Sequence, residues 1–135
     1  MGLRSNGLMA ELWIGPWRVD PCKSVLEKRG HRVRVEPKAM RVLVHLAERA
    51  GEEVAREEIL RAVWESSPVK AEVLTNAIWE LRKALGDDPR EPDFIQTVSR
   101  KGYRLVASVG RRERRNRSFS RLSTWLRALV RPERA

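Results

Sequence analysis

The residues with the most informative chemistry form a short turn, Ser99-Arg100-Lys101-Gly102. The turn lies between two strand-like segments, residues 94–98 and 103–107, so it is predicted to be the tip of a β-hairpin. Two adjacent cations at a hairpin tip can contact a phosphate backbone or enter a minor groove. The hairpin therefore indicates nucleic acid as the first partner to consider.

A helix predicted over residues 71–85 precedes this hairpin and has two different faces. Its apolar face, which should pack on the rest of the domain, consists of Leu74, Ile78, Leu81 and Leu85. Its polar face carries Glu72, Thr75, Asn76, Trp79, Arg82 and Lys83. Solvation is the ordinary explanation for such a face, but an exposed tryptophan among polar residues favours a surface that a partner covers.

Residues that commonly carry catalysis or bind metals are sparse. Cys22 is the single cysteine and the chain has two histidines, His31 and His45, so the sequence offers no Cys/His cluster for zinc. Asp87 and Asp88 are adjacent carboxylates, but they follow a predicted helix end, where acidic turn residues are common. The sequence has no nucleophile elbow and no phosphate loop. It therefore predicts a protein that is not an enzyme and needs no cofactor or metal.

The length and composition limit the organisation of the chain. A sequence of 135 residues that is 41% apolar allows one modest core and a tail, but not two domains. It contains no apolar run of membrane-spanning length and no signal peptide. We therefore expect a soluble, cytoplasmic protein with one compact domain.

The net charge of +10 is unevenly distributed along the chain. Residues 1–109 carry 19 Lys and Arg against 16 Asp and Glu, whereas residues 110–135 carry 9 against 2. The excess is therefore concentrated in a basic tail, residues 110–135. Its charge run, residues 111–117, is typical of a solvated segment.

An amphipathic helix is predicted in the rest of the tail, with Phe119, Leu122, Leu126, Leu129 and Val130 on one face. Such a helix fits contact with a membrane surface, a partner-binding helix or the remnant of a juxtamembrane linker. A helix folded back on the domain is the simplest alternative.

The preceding part of the chain is predicted to contain a sheet and two further helices. We interpret residues 1–11 as a flexible arm. Turn signals separate strands predicted at residues 12–14, 17–19, 24–27 and 32–35. Pro37 begins a helix that Gly51 ends. The next helix is predicted over residues 55–64. Its N-cap, Ala55, lacks a side-chain acceptor. The predicted fold class is α+β.

These residues resemble the winged-helix DNA-binding domain of OmpR/PhoB-type bacterial transcription regulators, over residues 12–109. The resemblance rests on Pro37-Lys-Ala, Arg56-Glu-Glu-Ile-Leu with Val63-Trp64, Leu81-Arg-Lys-Ala-Leu-Gly-Asp-Asp88, and Ile95-Gln-Thr-Val with Gly102-Tyr-Arg-Leu105. The segment from Thr75 to Asp88 is most similar to the CadC/ToxR-like branch.

The resemblance implies a winged helix-turn-helix: a four-stranded N-terminal antiparallel sheet, a three-helix core and a C-terminal β-hairpin wing, with the third helix in the major groove. It also implies double-stranded DNA as the partner, bound at direct repeats by a homodimer. The helix positions implied to meet DNA are Glu72, Val73, Thr75, Asn76, Trp79, Glu80, Arg82 and Lys83. The wing positions are Thr97, Ser99, Arg100, Lys101 and Arg104.

The side-chain chemistry divides these positions by role. Phosphate contacts are expected of Arg82, Lys83, Thr97, Arg100, Lys101 and Arg104. Asn76 suits adenine and Thr75 suits a thymine methyl.

Trp79 and Glu80 depart from the arginines that many relatives carry at these positions. Glu80 is shared with the CadC-like branch. Trp79 is expected either to pack on sugar or thymine, or to mark a face that binds protein.

Two functions from different classes follow. The first is sequence-specific DNA binding in transcription regulation, with or without a phosphorelay. The second is an adaptor that binds RNA polymerase or a related regulator through Trp79, Glu80, residues 65–68 and the tail. The chain has no room for a phosphoacceptor domain of about 120 residues, so we expect an effector domain separated from its input or a truncated relative.

Overall fold

The computed structural model describes residues 10–65, 69–99 and 101–113. The elements in that part of the chain are β1 (Ala10–Ile14), β2 (Trp17–Asp20), β3 (Val25–Lys28), β4 (His31–Arg34), α1 (Pro37–Glu48), β5 (Glu53–Ala55), α2 (Arg56–Trp64), α3 (Glu72–Leu85), β6 (Ile95–Val98), β7 (Gly102–Leu105) and β8 (Val109–Glu113).

Leu12–Gly110 form one compact unit. The second unit comprises Met1–Glu11 and Arg111–Ala135, and the structure describes only its residues 10, 11 and 111–113, at the start of β1 and the end of β8. The predicted arm and tail boundaries therefore fall within strands. The amphipathic helix predicted for the tail lies outside the described residues.

Five strands form the first sheet, in the order β4-β3-β2-β1-β8. Consecutive strands from β1 to β4 are antiparallel, and Val19 pairs with both Leu12 and Leu26. The sequence predicted four strands here. The fifth, β8, was missed because its charged residues resemble a solvated segment, whereas its place in a sheet depends on pairing that is distant in sequence.

The three helices bury one face each and share a core with the sheet. Fully buried side chains from each layer meet there, including Ile14 and Leu26 from the sheet and Leu43, Ile59 and Leu81 from the helices. The predicted α+β winged-helix fold is confirmed by this arrangement.

A second sheet, in the order β5-β7-β6, forms the base of the hairpin. Gly102 lies opposite Ala55 in the β5·β7 register. A Cβ atom built on Gly102 would stand 2.1 Å from the carbonyl oxygen of Val54. The two backbones are therefore too close for any side chain at this position.

An ionic cluster joins α1 and α2 on the outside of the core. The Glu58 carboxylate accepts a hydrogen bond from Arg49 Nη1 at 2.6 Å and lies 3.0 Å from His45 Nε2. These hydrogen bonds, that of Arg49 first and that of His45 second, hold the pKa of Glu58 below its ordinary value of 4.5.

A helix that crosses a bilayer must be long and predominantly apolar. Within residues 10–65, 69–99 and 101–113, no helix has the necessary length and apolar content. In the same residues, no group of three or more His, Cys, Asp or Glu side chains is arranged to hold a metal ion.

Candidate nucleic-acid interface

Helix α3 presents the polar face that its sequence predicts. Leu74, Ile78, Leu81 and Leu85 are buried against the core, as expected from their spacing. Exposed residues on the other side are Glu72, Thr75, Asn76, Trp79 and Lys83, while Val73, Glu80 and Arg82 are half-buried. The helix therefore offers a continuous outward surface.

Trp79 is the most exposed large apolar side chain among the described residues, with 64% of its surface accessible. The Lys83 ammonium nitrogen lies 5.0 Å from the centroid of its ring. This distance is within the range of a cation–π interaction. Lys83 thus covers part of the indole and leaves the rest accessible.

Glu80 has an intramolecular partner that sequence reasoning did not anticipate. Its Oε2 atom accepts the backbone N–H of Glu36 at 2.7 Å. Glu36 is the N-cap of α1 and makes no capping hydrogen bond through its own side chain. In a capping box, a glutamate of the same helix accepts a hydrogen bond from the N-cap N–H. Glu80 accepts this hydrogen bond from a different helix.

Arg82 connects α3 to the hairpin. Its Nη2 atom donates to the carbonyl oxygen of Ile95 and to Oγ1 of Thr97, each at 2.9 Å. Two side chains expected at phosphate thus contact each other. The Thr97 hydroxyl accepts from Arg82 and retains its own hydrogen as a donor.

Asp87 fixes the connection between α3 and β6. Its carboxylate accepts the backbone N–H groups of Asp93, Phe94 and Ile95 at 2.7, 3.1 and 2.9 Å. Asp88 caps the same turn by accepting the N–H of Arg90 at 2.9 Å. The structure thus supports the prediction that these carboxylates are turn residues.

The hairpin places its polar residues at the tip and along one edge. Ser99 and Lys101 are exposed, and Ser99 adopts a positive φ of 52°. Arg100, between them, lies outside the described residues. Arg104 is half-buried and donates to Gln96 across the strand pair at 3.2 Å.

Arg56 is a residue of this surface that the sequence did not identify. Its Nη2 atom donates to Oγ1 of Thr75 at 3.3 Å, and its guanidinium lies 5.9 Å from the ring centroid of Tyr103. Its backbone N–H donates to the Lys101 carbonyl at 2.9 Å. Arg56 therefore joins α2, α3 and the hairpin, and the Lys101 carbonyl accepts the first N–H of α2, which has no partner within the helix.

This arrangement defines a class of protein. A three-helix core, an outward third helix and a β-hairpin fixed beside it constitute a winged helix of the DNA-binding type. The chain belongs to the family described as "Transcriptional regulatory protein, C terminal", whose model matches residues 30–105. The predicted resemblance to OmpR/PhoB-type domains is confirmed.

The sequence relatives include whole transcription activators. The chain is 37% identical over 97 residues to the transcriptional activator CadC of Escherichia coli. The aligned region covers 71% of this chain and 19% of CadC. The chain thus spans about a fifth of that relative's length.

Solved structures match the fold over most of the chain. The DNA-binding domain of E. coli CadC superposes with a TM-score of 0.68 at 35% identity, covering 74% of this chain and 94% of that domain. The DNA-binding domain of Klebsiella pneumoniae RstA, solved in complex with the RstA box, has a TM-score of 0.62 at 28% identity and covers 71% of this chain and 96% of that domain. Both of these solved structures are DNA-binding domains.

Proposed function

We propose that the domain of residues 12–109 binds specific sequences of double-stranded DNA and regulates transcription. The third helix, α3, enters the major groove, and the hairpin contacts phosphate or the minor groove. The observation that carries this proposal is the joined surface of α3 and the hairpin. The Arg82–Thr97 hydrogen bond joins these two elements directly. Arg56 also joins them, because it donates to Thr75 of α3 through its side chain and to the Lys101 carbonyl through its backbone N–H.

Base reading is assigned to the exposed centre of α3. Asn76 is exposed, and an amide can donate to N7 and accept from N6 of adenine. Thr75 can place its methyl group against thymine while its hydroxyl accepts from Arg56. Glu72 and Val73 flank this centre at the helix N-terminus.

Phosphate binding is assigned to side chains at the edges of the surface. Lys83, Lys101 and Arg100 provide cations, and Ser99 and Thr97 provide hydroxyl donors. The intramolecular hydrogen bonds of Arg82, Arg104 and Glu80 favour a positioning role for these three residues. Arg82 and Arg104 retain further N–H groups with which to contact phosphate.

The partners and the cellular setting complete the proposal. A homodimer on direct repeats is proposed, as in the family that the sequence resembles, and the cytoplasm is the proposed compartment.

The basic tail is proposed to increase affinity for DNA without reading its sequence, because nine cations within residues 110–135 can release the counterions condensed on DNA. Membrane contact by the tail is the alternative role.

One observation favours a second function, that of a protein-binding adaptor. Trp79 exposes an indole, and Val69, next to the predicted 65–68 loop, is 36% exposed. Tryptophan is enriched in protein–protein interfaces, so an exposed indole also suits a protein contact. RNA polymerase or a related regulator would be the partner in that case, with weak DNA binding.

The testing experiment is selection of random DNA duplexes by the full chain at physiological salt, with excess nonspecific DNA to occupy the basic tail. We expect enrichment of a repeated motif. Failure to enrich any motif, by protein that circular dichroism shows to be folded, would contradict the proposal.

Paired variants then separate the two roles. Replacing both Arg100 and Lys101 by alanine is expected to weaken selected and random DNA about equally. Asn76→Ala is expected mainly to reduce the preference for the selected motif. Equal loss of preference from both would contradict this division of roles.

A further inference from the structure

Trp79 exposes an apolar surface that folding alone does not explain. Its 64% exposure exceeds that of Val69 and Val106, the other exposed large apolar residues among those described. An exposed aromatic ring surrounded by polar side chains is the kind of surface that a bound partner covers.

The neighbours of Trp79 on α3 are largely engaged within the domain. Glu80 accepts from the α1 N-cap, and Arg82 donates to β6. The Thr75 hydroxyl accepts from Arg56. Asn76 and Trp79 remain exposed at the centre of the outward face. Thr75 keeps its methyl group for base contact, and the other base contacts of this centre depend on the Asn76 amide and the Trp79 indole.

Lys83 influences how that indole can be used. Its ammonium, 5.0 Å from the ring centroid, lies one helical turn from Trp79 and favours ring conformations that keep the cation–π contact. The part of the ring that Lys83 leaves uncovered is apolar.

The major groove contains one apolar group that distinguishes the bases, the C5-methyl of thymine. We propose that Trp79 is a specificity-determining residue that reads thymine through this methyl group. This inference rests on the proposed DNA-binding function and deepens it.

The position of that thymine follows from the helix geometry. Asn76 and Trp79 are three residues apart, so their Cβ atoms are about 5–6 Å apart on one face. Successive base pairs rise by about 3.4 Å. The thymine should therefore lie within about two base pairs of the adenine that Asn76 reads.

The test uses the full chain and duplexes carrying the selected motif, with each thymine replaced in turn by deoxyuridine, which lacks only the methyl group. For the native protein, one such replacement near the adenine should weaken binding roughly fourfold, the value of one buried methyl group. For Trp79→Ala, the same replacement should have no effect. Trp79→Phe should retain part of the discrimination.

The matched control is Val106→Ala, which removes an exposed apolar side chain outside α3 and should retain the full fourfold difference. Circular dichroism and a thermal midpoint establish that each variant is folded, and Trp79→Gln replaces Trp79→Ala if the latter is not.

Three results would overturn the inference while leaving motif selection, and so the proposed function, intact. The first is that the native protein binds thymine and deoxyuridine duplexes equally at every position. The second is that the Trp79 variants bind every duplex as the native protein does, which would indicate a protein contact for the indole. The third is that the Trp79 variants weaken binding to all duplexes equally and keep the full difference between thymine and deoxyuridine, which would indicate a sugar contact. Failure to select any motif would contradict the proposed function itself.

Discussion

The carboxylate of Glu80 lies 2.7 Å from the backbone nitrogen of Glu36, which joins the middle of α3 to the first residue of the α1 N-terminus. A negative charge at this end of α1 also interacts favourably with the helix dipole. Glu80 therefore stabilises the orientation of α3 relative to α1, in addition to the DNA contact that the family resemblance implies for this position.

Glu80→Ala is expected to lower the free energy of unfolding by about 1 kcal/mol, the usual cost of losing a helix cap. Glu80→Gln keeps an acceptor oxygen and should cost less than half as much. Urea unfolding of both variants checks this. Equal stability of the native protein and Glu80→Ala would contradict the capping role.

Arg82 and Lys83 are adjacent cations with different expected roles. Arg82→Ala removes two hydrogen bonds to β6 and should lower the free energy of unfolding by about 1–2 kcal/mol. Lys83→Ala should change stability by less than about 0.5 kcal/mol and reduce the salt dependence of DNA binding by about 0.9 log unit per log unit of salt. Urea unfolding and titrations at several salt concentrations separate the two effects. If Arg82→Ala changed the salt dependence of DNA binding and Lys83→Ala did not, the assignment of positioning to Arg82 and phosphate contact to Lys83 would be contradicted.

Gly102 and Gly110 form a matched pair for testing the close approach of β5 and β7. Gly102→Ala forces a Cβ atom against the Val54 carbonyl and should cost about 3 kcal/mol or more, as overpacking of a rigid backbone does. Gly110→Ala meets nothing within 4 Å and should change stability by less than about 0.5 kcal/mol. Thermal unfolding of both variants is the measurement, and similar midpoints would contradict the structure at this strand pair.

The Glu58 cluster predicts a dependence of stability on pH. Because the pKa of Glu58 is lowered in the folded protein, its ionised form stabilises the fold above about pH 4.5, and this contribution is lost as the pH falls through the lowered pKa. Glu58→Gln should therefore be less stable than the native protein at neutral pH, and the difference should shrink below pH 4.5. Thermal midpoints across this range check the sign, and a difference that grows on acidification would contradict it.

Local periodicity was sufficient to predict the helices and the hairpin. The spacing of Leu74, Ile78, Leu81 and Leu85 identified the buried face of α3, and Ala55 was correctly placed at the α2 N-cap. These features depend on residues a few positions apart, so the sequence displays them directly.

The missed features depend on contacts between distant segments. The three-residue strand β5 becomes a strand only by pairing with β7, and Arg56 meets Thr75 only because α2 and α3 cross. Glu80 and Glu36 are 44 residues apart. A single sequence contains no periodic signal for such pairs, so the exposed polar residues of α3 could not be separated into scaffold and binding residues beforehand.

The three hydrogen bonds that the Asp87 carboxylate accepts from backbone N–H groups have a thermodynamic consequence for recognition. They fix the connection between α3 and β6, so the helix and the hairpin present a preorganised surface and lose little conformational entropy when DNA binds. The heat-capacity change of binding should then reflect the apolar area covered rather than coupled folding of the connection. Differences in affinity between operators should appear mainly in the dissociation rates, because the same rigid surface approaches each of them.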